Sequence, residues 1–227
     1  MGISFVGMVS LLYLCITLIR ITMPNWCNNH IQISGTKENM EKIYHLFKNT
    51  ESKRYREILV MNHLIPHDAE YKRIEKSGNY LLNPQTSFYG TKWDFSLSEA
   101  NVNDVQEDYV SLSPSTAWSP PSEFCEKLAK KYDVEVRIDY EEGGVGFVGR
   151  EVYNSDGLIE QQVYEDYDRG LYFLDNESFW SNLESNIEYA MENEETLETF
   201  MERYSFVSEE DKEEIKQQFT EMVKDYE

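Results

Sequence analysis

The sequence predicts an α+β fold: an antiparallel sheet with helices on one face, followed by an acidic, mostly helical C-terminal region. Three observations carry this expectation. Short segments that alternate apolar and polar residues share the first two-thirds of the chain with amphipathic stretches. From Ser178 onward, apolar residues recur only at helical spacing. The charge divides along the same line. Residues 1–150 hold 16 Lys and Arg against 19 Asp and Glu, a balance of −3. Residues 151–227 hold 5 against 23, or −18 of the total of −21. Apolar residues at 41% and aromatics at 14% are enough to build a packed core despite that charge.

In order along the chain, Asn28 to Ser34 alternates, with Ile31 and Ile33 on one face, and Gly35 ends the run as a strand. Thr36 is placed to cap a helix carrying Met40, Ile43, Tyr44 and Phe47. Residues 50–86, punctuated by Pro66 and Pro84, have no clear period and read as an irregular insertion. Tyr89 to Phe95 and Asp108 to Ser113 read as strands, with turn chemistry at Asn101, Asn103 and Asp104 between them. Ser119-Pro120-Pro121 opens a helix with Ser119 as its cap, and Phe124, Leu128 and Tyr132 mark its buried stripe. Val134, Val136, Ile138 and Tyr140 alternate with charged residues in the cleanest strand of the chain. A glycine-rich turn, a strand over Phe147 to Tyr153 and a turn at Asn154–Gly157 follow. The resulting order is β-α-β-β-α-β-β. Beyond it, Phe179, Leu183, Ile187 and Met191 form one apolar stripe. Leu197, Phe200, Met201 and Tyr204 form a second. Ser208 to Asp211 is a capping pattern that opens a third, with Ile215, Phe219, Met222 and Tyr226.

These readings divide the chain at 22/23 and 157/158. Residues 1–22 are apolar with no Lys or Arg before Arg20, so they lack the positive leader of a signal peptide. Ile3 to Ile19 is short for a membrane span and is diluted by Ser4, Ser10 and Thr17. The expectation is an over-extended start with Met23 as the natural first residue; an N-terminal membrane anchor is the alternative. Cys15, Cys27 and Cys125 are odd in number and widely spaced, which fits a reducing compartment, the cytoplasm.

Four segments then resemble a known family in the right order: Met23-Pro24-Asn25-Trp26-Cys27-Asn28-Asn29, Tyr89-Gly90-Thr91-Lys92-Trp93-Asp94, Thr116-Ala117-Trp118-Ser119-Pro120-Pro121 and Gly146-Phe147-Val148-Gly149. They are similar to blocks of the YubB / Api92-like group, phage- and plasmid-borne proteins of unknown function with a ferredoxin-like domain. The resemblance spans Met23 to about Ile159 and implies a ferredoxin-like domain over 23–157, a start at Met23 and a bacterial host. It brings no catalytic residues, and it leaves the helical region of 158–227 outside the match.

No catalytic, cofactor or metal site is expected. Gly144 to Gly149 spells G-x-G-x-x-G but leads into a strand, not into the helix that a dinucleotide site requires. His63 and His67 are separated by Pro66, which breaks a shared helical face. Asp166, Asp168 and Glu177 fit three positions of a calcium loop, but Leu171 stands where its glycine belongs. Trp93, Phe95, Trp118 and Tyr140 invite comparison with a base-stacking platform, yet the domain is not basic, and core packing is expected of them.

The functional expectation is a non-enzymatic interaction protein whose acidic face binds a basic host or defence protein, one that normally holds nucleic acid. Direct nucleic-acid binding is not expected. The candidate partner-binding residues are Glu192, Glu194, Glu195, Glu198, Glu202, Glu209, Glu210, Asp211, Glu213 and Glu214. The alternative is an enzyme whose site is formed by residues 50–86 over the sheet, with His63, His67 and Asp68 as its first suspects.

Overall fold

The computed structural model describes residues 24–48, 56–77 and 83–226; the expectations for residues 1–22 lie outside them. Seven strands form one antiparallel sheet: β1 (Trp26–Ser34), β2 (Val102–Gln106), β3 (Tyr109–Leu112), β4 (Ser115–Ala117), β5 (Glu135–Glu142), β6 (Phe147–Asn154) and β7 (Gly157–Tyr164). The order is β2-β3-β1-β5-β6-β7, and β4 pairs with the first residues of β1.

The period-2 pattern sets the faces. Ile31, Ile33, Val110, Leu112, Val136, Ile138 and Tyr140 point into one core. Helices α1 (Lys37–Lys48) and α5 (Ser122–Tyr132) close it with Met40, Ile43, Leu46, Phe47, Phe124, Cys125 and Leu128. Thr36 accepts a hydrogen bond from the Asn39 N–H at 3.2 Å, so the expected cap of α1 is present. Tyr44 and Tyr132 are half-buried rather than buried.

Several local expectations are corrected. Of the segment expected to be irregular, residues 50–55 and 78–82 lie outside the described residues, and the rest contains α2 (Val60–Leu64), α3 (Ala69–Lys76) and the start of α4 (Pro84–Tyr89). Tyr89 to Phe95 is not a strand, because Asn83 caps α4 and Gly90, at φ 90°, terminates it in the left-handed region. The Asp94 carboxylate then accepts the Met61 and Asn62 N–H groups at 2.9 and 2.8 Å, capping α2 instead of pairing in a sheet. Asn103 and Asp104 lie within strand β2, an edge strand with an irregular register. The N-cap of α5 is Pro121; the Ser119 hydroxyl donates to Gly90 O at 2.5 Å. Finally, β7 carries the sheet past the boundary expected at 157/158.

The helical layer consists of α6 (Tyr167–Leu174), α7 (Asn176–Glu192), α8 (Leu197–Arg203) and α9 (Glu209–Tyr226). Its stripes meet in a second core of Leu171, Phe179, Leu183, Ile187, Phe200, Tyr204, Ile215 and Phe219. Val148 of β6 belongs to that core, so the layer is seated on the sheet face opposite α1 and α5. Gly170 makes the seating possible: a Cβ there would stand 2.6 Å from Val148 Cβ.

Candidate functional site

The ten acidic candidates fall on α7 to α9 and the turns between them, but they are not equivalent. Asp211 is half-buried; it accepts the Tyr172 hydroxyl at 2.6 Å and the Ser208 hydroxyl at 2.7 Å, which hold its carboxyl below the ordinary range. That residue holds α9 against α6. Glu195 pairs with Arg203 at 2.8 Å, Glu209 with Lys212 at 2.6 Å and Glu213 with Lys216 at 2.6 Å. Glu192, Glu194, Glu198, Glu202, Glu210 and Glu214 are exposed with no cation in contact among the described residues. All but Glu194, which lies in the turn between α7 and α8, stand on helices whose opposite faces are buried, so the charge is displayed on an ordered scaffold.

The metal and nucleotide patterns resolve into structural roles. Asp166 caps α6 through the Arg169 N–H, and Asp168 accepts from Asn186 and Tyr204, so the calcium-loop residues do not converge. Among the described residues no group of three or more His, Cys, Asp or Glu is placed to hold a metal ion. In the glycine-rich turn, the amides of Gly144 and Val145 donate to the Glu142 carboxylate at 2.8 and 2.6 Å. A phosphate would need those same amides. Gly149 serves packing: a Cβ there would stand 2.4 Å from the Tyr140 ring.

Helices α2 and α4 pack along α5, where Lys131 Nζ and the Tyr132 hydroxyl donate to Leu64 O. His63 is exposed, Asp68 accepts the Tyr71 N–H, and the His67 ring stacks on Tyr71 at 3.5 Å. A different polar group lies on the far sheet face, in a groove of about 250 Å³ beneath α6. There His30 Nδ1 is 3.1 Å from Ser113 Oγ, and His30 Nε2 is 3.0 Å from Gln32 Nε2. With that amide donating to Nε2, the ring proton sits on Nδ1 and points at Ser113. Asn103 donates to the same hydroxyl at 2.8 Å. The serine accepts twice, which is the reverse of activation as a nucleophile.

The segments that resemble family blocks meet at one end of the sheet. Trp118 N–H donates to Asn25 O at 2.9 Å, Thr91 Oγ1 to Ala117 O at 3.0 Å and Thr116 Oγ1 to Ser119 O at 2.8 Å. Asn29 Nδ2 lies 2.9 to 3.0 Å from Cys27 O, Thr116 Oγ1 and Pro114 O. Cys27 is fully buried beside Asn29, and burial pushes its thiol up to about 12, so it is inert at neutral pH. Core packing holds for Phe95 and Tyr140 but not for Trp93 and Trp118, which are 42% and 43% exposed; Trp26, whose ring lies 6.1 Å from that of Trp93, is 53% exposed. Trp118 also adopts φ 74°, a left-handed conformation costing a bulky residue about 1–2 kcal/mol. The register and hydrogen bonds of β1 and β4 impose it.

A family model described as the ferredoxin-like domain in Api92-like protein matches residues 92–220. The match takes in α6 to α8 and most of α9, which corrects the expectation that the helical region lies outside it. Among solved structures, the crystal structure of a protein api92 from Yersinia pseudotuberculosis is 13% identical, with a TM-score of 0.38. That similarity covers 63% of this chain and 98% of the other. No curated protein matches the chain. No helix among the described residues is long and apolar enough to cross a membrane.

Proposed function

The chain belongs to the Api92-like family, and from that premise we propose a non-enzymatic interaction protein of a phage or plasmid, acting in the cytoplasm of a bacterial host. Its acidic helical face binds a basic host or defence protein and occupies the surface that protein uses for nucleic acid. The observation that carries this reading is the set of Glu192, Glu194, Glu198, Glu202, Glu210 and Glu214, exposed and without a cation in contact among the described residues, on helices with a core of their own and the turn between α7 and α8. A fixed array of like charge steers a complementary surface and speeds its association. The same field repels phosphate backbones, so the protein acts on the nucleic-acid-binding partner and not on the nucleic acid. Affinity capture from host lysate at low salt tests the reading. Basic, nucleic-acid-binding proteins are expected on the wild-type protein and should be lost when the six glutamates are changed to Gln. Recovery of no such protein would overturn it.

A further inference from the structure

Among the described residues the sheet ends at β2 and at β7, and the two edges are built differently. Strand β2 is five residues long, carries Asn103 and Asp104, and pairs with β3 in an irregular register. Short, charged and irregular edges resist further pairing. Strand β7 is eight residues long, has neither proline nor lysine, and is exposed from Leu158 to Val163. Its apolar residues Leu158, Ile159 and Val163 are 47%, 54% and 49% exposed. Phe173 of α6, also exposed, stacks on Tyr164 at the end of the strand. The one irregularity of β7 against β6 falls at Ile159, and pairing is regular from Glu160 to Tyr164.

The sequence of β7 indicates what would cover that edge. From Leu158 to Tyr164 it reads Leu-Ile-Glu-Gln-Gln-Val-Tyr, so large apolar residues flank a polar centre in the same pattern in both directions about Gln161. Such a strand is its own antiparallel complement, as a two-fold interface requires. With Gln161 opposite Gln161 of a second copy, Ile159 meets Val163, Leu158 meets Tyr164, and Glu160 meets the amide of Gln162. The neighbouring symmetric registers are worse. A slip one way sets Glu160 against Glu160, and a slip the other way sets Ile159 against Glu165. Charge points to the same occupant. The chain carries −21, yet α5 holds three lysines against two glutamates, α6 one arginine against one aspartate, and β7 a single glutamate. The edge and the two helices that pack beside it thus balance to zero. Two copies can meet here at little electrostatic cost, whereas α7, α8 and α9 would repel their counterparts.

We propose that β7 is a homodimer interface: two copies join edge to edge, antiparallel about Gln161, into one continuous sheet. A two-fold axis normal to the sheet keeps both helical layers on the same face, so the dimer sets two acidic surfaces side by side. The pairing stands whatever those surfaces bind.

The test is sedimentation velocity of the full chain from about 1 to 100 µM, in enough salt to screen the net charge. The wild type should pass from monomer to dimer across that range. Ile159→Glu and Val163→Lys change exposed side chains, and far-ultraviolet circular dichroism checks that each variant is folded. Each should weaken dimerisation by about tenfold, because the two-fold axis sets the new charge against an apolar residue twice. An equimolar mixture of the two variants then tests the register. In the mixed dimer the introduced glutamate faces the introduced lysine, and the other pair is the native Ile159 with Val163. The mixture should therefore dimerise about tenfold more tightly than either variant alone. A wild type that stays monomeric to about 100 µM overturns the interface, as does a dimer that either variant leaves unweakened. Variants that weaken the dimer and are not restored on mixing overturn the pairing about Gln161, and the proposal with it.

Discussion

In the sheet layer, polar side chains reach across long stretches of sequence: Asn29 to Thr116, Thr91 to Ala117, Ser119 to Gly90. In the helical layer most reach only three or four residues, as in Lys212 to Glu209, Lys216 to Glu213 and Gln217 to Glu221. The exceptions there include Arg203 to Glu195, Tyr167 to Glu141 of the sheet, and two clusters that fasten helix to helix, Asp168 with Asn186 and Tyr204, and Tyr172 with Asp211. The first layer uses its polar groups to build itself; the second leaves most of them facing water. Charge can therefore accumulate in the second without disturbing the fold, and in the first it cannot. The two cores are separate clusters joined where Val148 enters the helical one.

The largest expected effect tests whether that joint makes one cooperative unit or two. Phe200 is fully buried in the helical core, and Phe200→Ala should cost about 3–5 kcal/mol. In urea, and in a Trp180→Phe background so that indole emission reports the sheet layer alone, the expected result is an early loss of helical signal while the emission of Trp26, Trp93 and Trp118 persists. A single coincident transition would mean that the layers do not unfold separately. Close glycine packing offers a smaller perturbation. Gly149→Ala presses on Tyr140 within the sheet layer, and Gly170→Ala presses on Val148 at the joint. Each should cost about 1–3 kcal/mol by denaturant midpoint. Only Gly170→Ala should widen the gap between the helical and the indole transitions.

A smaller effect comes from Asp168, half-buried in the helical layer. Burial raises its carboxyl above the ordinary carboxylate range, against the pull of the Asn186 and Tyr204 donors. With the folded-state value above the unfolded one, the folded protein holds more protons between the two values. The contribution of this residue therefore makes stability rise as pH falls through that window, and its ionised form at neutral pH is the less stable one. Asp168→Asn should remove that increment from the pH profile of the urea midpoint. An unchanged profile would contradict the assignment.

Much of this organisation is legible in the sequence. Strand β5 is plain because alternate residues from Val136 to Tyr140 face a single core, and the helical stripes are plain because each has one buried side. Strand β7 is hidden because it is an edge strand with six successive exposed residues, so no alternation marks it. Strand β2 is hidden by Asn103 and Asp104, turn-forming residues tolerated at the other edge. Thr91 to Phe95 imitates a strand, and only the cap that Asp94 gives to α2, more than thirty residues upstream, makes it a loop. The ten acidic candidates are visible as charge. That Asp211 is a structural fastener is not, because its partner Tyr172 lies 39 residues away. The exposure of Trp93 and Trp118, expected in the core, is equally invisible to spacing, since residues from separate segments meet at that end of the sheet.

The exposed glutamates should contribute least to stability: changing Glu198, Glu202, Glu210 and Glu214 to Gln is expected to alter it by no more than about 0.5 kcal/mol each. That quadruple variant gives the most direct test of the central claim, that this charge forms a binding face and does not serve solubility alone. The measurement is the affinity of a captured basic partner for wild-type and variant protein across a range of salt concentrations. The wild type should bind with a steep decline as salt rises, and the folded, soluble variant should lose both affinity and salt slope. A variant that binds as tightly as the wild type, with the same slope, would contradict the account.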